Sequence, residues 1–217
     1  MYSIDRTLSF LLITVFLASA CGIALATNAD SEIPLVCQSG CASPYGEILG
    51  ESPRRIKAYS NCQSSCVIYQ PNQWNGTYTG IKWQCVEYAR RWLLVNTGTV
   101  FGDVDIAADM WNKIDYLTDV KTKKRVPLVT HLNGSTQAPE VGDLLIYAKA
   151  YKDTGHVAVV TGIDIANGSI EVGEQNFNNE RWTNHYARRL KLTKNGESYW
   201  LLDGYLLGWK HAMFEPQ

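Results

Sequence analysis

Hydrophobic positions change their period along the chain, and the change falls near Pro139. Ahead of it, Cys85 to Asn96 places Val86, Ala89, Leu93 and the neighbouring Trp92 at helical spacing, with Arg90 and Arg91 between them and Gly98 as a stop. A second helix is predicted from Ile106 to about Leu117, where Ile106, Met110, Ile114 and Leu117 recur at helical steps. Lys121, Lys123, Lys124 and Arg125 then read as a solvated loop. After Pro139 the period shortens to that of strands, predicted at Asp143 to Ala148, His156 to Ile163, Ser169 to Glu174, Tyr186 to Leu192, Tyr199 to Leu202 and around Leu206 to Lys210. Asp153-Thr154-Gly155, Ala166-Asn167-Gly168 and Lys194-Asn195-Gly196 carry the residues that tight reversals need, so the sheet is antiparallel. Helices followed by such a sheet make an α+β chain.

The stretch from Thr27 to about Thr79 has no sustained period and holds Pro34, Pro44, Pro53 and Pro71, so loops and short turns wrapped over the core are expected. In front of it, Arg6 precedes an apolar run from Leu8 to Ala20, and Ala24-Leu25-Ala26 offers small residues for cleavage. Residues 1–26 therefore read as a signal peptide, which would place the mature chain in a secreted, lumenal or periplasmic compartment. An uncleaved anchor over Leu8 to Ala26, or a lipoprotein site at Ala18-Ser19-Ala20-Cys21, are the alternatives. Ser19, Cys21 and Gly22 interrupt the run and favour cleavage. No later segment is long and apolar enough to span a membrane. The division is thus 1–26 as signal, 27–79 as an N-terminal wrap and 80–217 as the core of the same domain.

With 46% hydrophobic and 19% charged residues, the 217-residue chain has material for one sizeable core. Its formal net charge of −1 offers nothing that would draw it to a phosphate backbone, so no nucleic-acid partner is expected. Cysteine usage alters the picture more. An exported chain would keep Cys37, Cys41, Cys62, Cys66 and Cys85, and the first four form two like-spaced couples suited to two disulfides. Pairing within each couple and pairing between couples both remain open, and a four-thiolate zinc site is the rival. Cys85 is left over. Asn75, Asn133 and Asn167 are glycosylation sequons in predicted turns.

Cys85 stands where the polar Lys82-Trp83-Gln84 approach gives way to the first helix. Free N–H groups and the helix dipole favour a thiolate there, and the same N–H groups can face an oxyanion formed beside the sulfur. A buried inert thiol is the competing reading. Of the four histidines, His156 opens the strongest strand, His156-Val157-Ala158-Val159-Val160, whereas His131 and His211 look superficial and His185 is a weaker substitute. A general base must be held rigidly within hydrogen-bond reach of the thiol, which a strand can do. Glu171 and Glu174 could each orient the imidazole, and spacing does not choose between them. A bulge after Gly173 could re-aim Glu174.

The segment Gly80-Ile81-Lys82-Trp83-Gln84-Cys85-Val86-Glu87-Tyr88-Ala89-Arg90-Arg91-Trp92, with Asp153-Thr154-Gly155-His156-Val157-Ala158-Val159 and Glu174-Gln175-Asn176, resembles the CHAP family of cysteine, histidine-dependent amidohydrolases and peptidases. Within that family the likeness is to amidase domains that act on glutathionylspermidine, and it runs from about Tyr45 to Trp209. The resemblance implies a papain-like fold, with Cys85 as nucleophile, His156 as base and acid, and Glu174 as third member. It also implies that Arg90 holds a substrate carboxylate and that Gln84 and Asn176 line the site; otherwise Arg90 would be a solvated helix residue. The chain departs from the pattern in its export signal, its cysteine couples and the lack of a synthetase half. Peptidoglycan-type peptides therefore fit better as substrate than glutathione–polyamine conjugates, with a catalytically silent recognition module as a third possibility. No His-x-His or His-Glu-x-x-His motif is present, and no metal or cofactor is expected.

Overall fold

A computed structural model describes residues 33–215. The proposed signal peptide lies outside the described residues. Within them, no helix is long and apolar enough to cross a membrane.

One helix organises the molecule. Helix α1, Cys85–Thr97, starts from an extended Gln84 and ends at Gly98, whose φ of 71° closes the last turn with its N–H on Leu94 O. Cys85, Glu87 and the run from Tyr88 to Leu93 are all buried, so α1 is covered on nearly every side. Its polar residues must then find internal partners.

The main sheet has nine strands, β5 (Thr99–Val100), β6 (Tyr116–Asp119), β7 (Arg125–Leu132), β8 (Leu144–Tyr147), β9 (His156–Asp164), β10 (Ser169–Gly173), β11 (Arg188–Asn195), β12 (Ser198–Leu201) and β13 (Leu206–Ala212). Their order is β12-β11-β10-β9-β8-β13-β7-β6-β5, and every pairing is antiparallel. β9 is buried from His156 to Thr161, and its alternation serves two cores. Val157 and Val159 join Tyr88, Ala89 and Leu93 of α1, while Ala158 and Val160 join Ile170, Val172, Leu190, Leu201 and Trp209 of neighbouring strands. That second core contains no helix residue. The sheet bends round to close it: Gly134 N–H bonds Tyr199 O at 2.9 Å, Tyr199 N–H bonds Ser135 O at 2.8 Å, and Asn133 bonds Leu201 with both ends of its amide.

Several expectations need correction. The second helix shrinks to a 3₁₀ turn, Ala107–Asp109, and α2, Met110–Lys113. Beyond it Leu117 is buried as part of β6, where it pairs with Val126. Strand partners outweigh a helical period that only four positions supported. The basic run is a turn only as far as Lys124; Arg125 begins β7, which Pro127 had disguised. The N-terminal wrap is not only loops: β1 (Ile48–Ser52) pairs with β2 (Ile56–Tyr59), and β3 (Pro71–Trp74) pairs with β4 (Thr77–Ile81). Strands of four or five residues, one starting on proline and another containing glycine, leave too short a period to read.

The cysteines pair between the couples, Cys37 with Cys66 and Cys41 with Cys62, closing loops separated by 29 and 21 residues. All four sulfurs are thereby consumed, so the zinc alternative is set aside. Asn75 and Asn167 are exposed, but the Asn133 side chain is committed to Leu201.

Candidate active site

The last residues before α1 aim the chain into a cavity of about 340 Å³ whose lining includes Gln84, Cys85, Arg90, His156 and Asn176. Cys85, the first residue of the helix, is 7% exposed and is the free cysteine among the described residues. Burial pushes its thiol up, but the charge and hydrogen bond of His156, with the N–H groups of Val157 and Val86, outweigh burial and hold it below its ordinary value. The two elements that supply these groups, α1 and β9, are packed directly on each other.

His156 enters β9 from Gly155, whose φ is 70° and where an added Cβ would lie 2.6 Å from Tyr147 O. Only glycine allows that approach, which fixes where the imidazole emerges. The ring is 1% exposed and its Nε2 lies 2.8 Å from Glu174 Oε2, leaving Nδ1 for the sulfur. Burial disfavours the imidazolium, yet Cys85 and Glu174 together raise its pKa to about 9. Tyr147, Tyr151 and Phe177 surround the ring, with Tyr151 and Phe177 stacked on each other at 5.6 Å.

Between the two candidate carboxylates the geometry discriminates. Glu171 is half-buried and pairs with Arg189 at 2.7 Å, whereas Glu174 is 2% exposed and faces His156. The irregular step in the β9–β10 ladder lies at Glu171/Val172, opposite an extra residue of β9, and not after Gly173 as expected. Burial would raise the Glu174 carboxyl, but His156 and Arg188 more than offset it and keep it below the usual range.

Sequence reasoning missed what stands behind Glu174. Arg188 donates from Nε to Glu174 Oε1 at 2.5 Å and from Nη2 to Oε2 at 3.2 Å, and its Nη1 pairs with Asp203 at 2.8 Å. Tyr147 donates to Asp203 at 2.6 Å, and Phe177 lies under the guanidinium, 3.6 Å from its ring centre. A signal was present: Arg188 alternates with Leu190 and Leu192, so it falls on their apolar face, where a charge must find a partner.

The remaining expected site residues are also accounted for. Gln84 Oε1 accepts from Asn176 Nδ2 at 2.6 Å, and Gln84 Nε2 donates to Cys66 O at 3.2 Å. Arg90 lines the cavity but is neither solvated nor free: it donates to Phe101 O, Thr79 O, Gly102 O and Asp103 within 2.8–3.1 Å and is 2% exposed. Of its five N–H groups these bonds leave one, on Nη1. His131 and His211 are strand residues, half-buried, with His211 paired to Asp143 at 2.7 Å, and His185 is exposed; none of the three lines the cavity. No group of three or more potential metal ligands occurs among the described residues.

Residues 75–176 match the CHAP domain family. The bifunctional glutathionylspermidine synthetase/amidase of Escherichia coli (strain K12) is 34% identical over 189 residues, a match covering 77% of this chain and 29% of that protein. Trypanothione synthetase of Crithidia fasciculata is 32% identical over 161 residues, covering 74% and 24%. Glutathionylspermidine synthase of the same organism is 32% identical over 136 residues, covering 60% and 19%. The chain thus spans less than a third of the length of these curated relatives.

Proposed function

The chain belongs to the CHAP family through residues 75–176, and on that premise we propose that it is an exported cysteine amidohydrolase acting on amide bonds of peptidoglycan-type peptides. The observation that carries the reading is the buried series in which Cys85 and His156 line the cavity and Glu174 stands behind the imidazole, with a thiol held below its ordinary pKa and an imidazole held above its own. The papain-like arrangement belongs to the same reading.

In the mechanism, the Cys85 thiolate adds to the amide carbonyl, and N–H groups at the start of α1 receive the oxyanion. Collapse breaks the C–N bond as the His156 imidazolium gives its proton to the leaving amine. Water, deprotonated by the now neutral imidazole, attacks the thioester, releasing the acid and restoring the thiolate and imidazolium. Glu174 holds Nε2 and stabilises the imidazolium without taking its proton. Gln84 and Asn176, bonded to each other, brace the approach to the sulfur. The remaining N–H of Arg90 is the donor available to a substrate carboxylate.

Two disulfides fit an oxidising compartment, which supports wall peptides over an intracellular thiol conjugate. The relatives named as glutathionylspermidine synthetase/amidase support a second reading, hydrolysis of a glutathione–polyamine conjugate. Incubating the purified mature chain with peptidoglycan fragments and, separately, with glutathionylspermidine decides between them by the amine released. Release from neither, with Cys85 inert to iodoacetamide, would leave the silent recognition module.

A further inference from the structure

The turn joining β1 to β2 carries two adjacent arginines in the left-handed region, Arg54 at φ 65° and Arg55 at φ 62°. Glycine is the usual occupant there, and a bulkier residue is held in that region at a cost in backbone strain. Beside them opens a cleft of about 310 Å³ whose lining includes Arg54, Arg55, Lys57, Arg91, Tyr59 and Trp74, and no carboxylate.

The charges in this cleft are uneven. Arg91 is matched inside the protein by Glu87 at 2.7 Å. Arg54, Arg55 and Lys57 are exposed, and among the described residues none of them takes part in an ion pair. Arg54 is nonetheless tethered, donating from Nη1 to Asn96 O at 3.2 Å, and Lys57 is set in a strand. The whole chain has a net charge of −1, so three cations gathered here without an ion pair, with Glu51 opposite Lys57 in the β1–β2 register, do not reflect a basic protein. Trp74, 43% exposed on the β3–β4 hairpin, adds a broad aromatic face. The cleft shares no lining residue with the catalytic cavity: Arg90 belongs to that one and Arg91 to this one, a helical step of about 100° apart.

Unmatched guanidinium and ammonium groups recognise carboxylate or phosphate, and an exposed indole offers a flat apolar surface to a sugar ring. We infer that this cleft is a second binding site, for a saccharide bearing carboxylate or phosphate groups. It would hold the protein on an anionic glycan while the cavity on the other flank of α1 works, and it stands whether or not the proposed hydrolysis is correct.

Calorimetric titration of the full chain tests this with trigalacturonic acid, glucose 1-phosphate, maltotriose and inorganic phosphate as probes. One or both acidic sugars bind, and the one that binds identifies the anion. Affinity falls as salt rises from about 0.05 M to about 0.5 M. Arg55→Glu and Lys57→Glu each weaken binding at least about tenfold, and Trp74→Ala weakens the sugars but not phosphate. Unaltered alkylation of Cys85 in each variant shows that the fold is intact. Failure of both acidic sugars to bind, equal binding of maltotriose, phosphate binding as tightly as the sugars, or binding that survives both charge reversals would each overturn the inference.

Discussion

Arg188 grips Glu174 through two hydrogen bonds, so the carboxylate facing His156 is already paired with a permanent cation. The guanidinium is in turn fixed by Asp203, Tyr147 and Phe177. Removing it leaves Glu174 free to turn and takes positive charge away from the imidazolium and the thiolate beyond. The thiol should then release its proton at higher pH. Arg188→Met is expected to shift the pH profile of Cys85 alkylation upward and to lower kcat by about ten- to a hundredfold, with Arg188→Lys intermediate. An unmoved alkylation profile in the Met variant would reduce Arg188 to a packing role.

Substitution of the three candidate catalytic residues should separate their roles. Cys85→Ala and His156→Ala abolish hydrolysis, while Glu174→Ala, which spares both reacting atoms, retains a measurable rate. Because the His156 pKa is raised to about 9, the imidazolium is fully present at the ordinary histidine value and is lost as pH climbs through about 9. Hydrolysis, which needs that proton for the leaving amine, should decline over the same interval, while alkylation of the thiolate does not. Rate measurements from about pH 7 to about pH 11, about two units either side of that value, check this.

Glu87 is fully buried two residues after Cys85. Its carboxylate accepts from Asn72 at 2.9 Å, Thr79 at 3.0 Å and Gln175 at 3.0 Å as well as from Arg91, tying the β3–β4 hairpin and the segment after Glu174 to α1. Glu87→Ala would strand the Arg91 charge inside and should cost about 3–5 kcal/mol. Urea unfolding monitored by tryptophan fluorescence measures it, and a loss below about 1 kcal/mol would contradict the assignment.

Gly173 immediately precedes Glu174, and an added Cβ would lie 2.4 Å from Tyr88 Oη and 3.1 Å from Thr161 Cγ2. Gly173→Ala must therefore displace the end of β10 or the Tyr88 ring, at about 1–3 kcal/mol. The expected outcome is a fall in kcat larger than the change in stability predicts, since the displaced residue carries Glu174 with it. Equal kcat in variant and parent would show that Tyr88 absorbs the strain.

The parts legible in the sequence were those with a long period or a sharp boundary. Helix α1 ends at a glycine and begins at the cysteine that is unpaired among the described residues, and β9 announces itself by five consecutive residues from His156 to Val160 that belong in a buried strand. The short strands β1 to β4 had no such period, and β6 followed a stretch whose apolar spacing also suited a helix until Leu117 found Val126. The choice of Glu174 over Glu171 depends on which strand lies alongside, a relation between residues eighteen apart that local spacing does not contain. Arg188 required the same tertiary knowledge, although its place on an apolar face was visible.

The carbonyl of Cys66, whose sulfur is bound to Cys37, accepts the Gln84 amide next to Cys85. Reductants kept in an assay to protect the Cys85 sulfur would therefore act on two targets at once, sparing one thiol while unlacing the brace that shapes its surroundings. Turnover plotted against dithiothreitol concentration should rise and then fall, and the protein at the top of that curve is the one that an oxidising compartment would maintain.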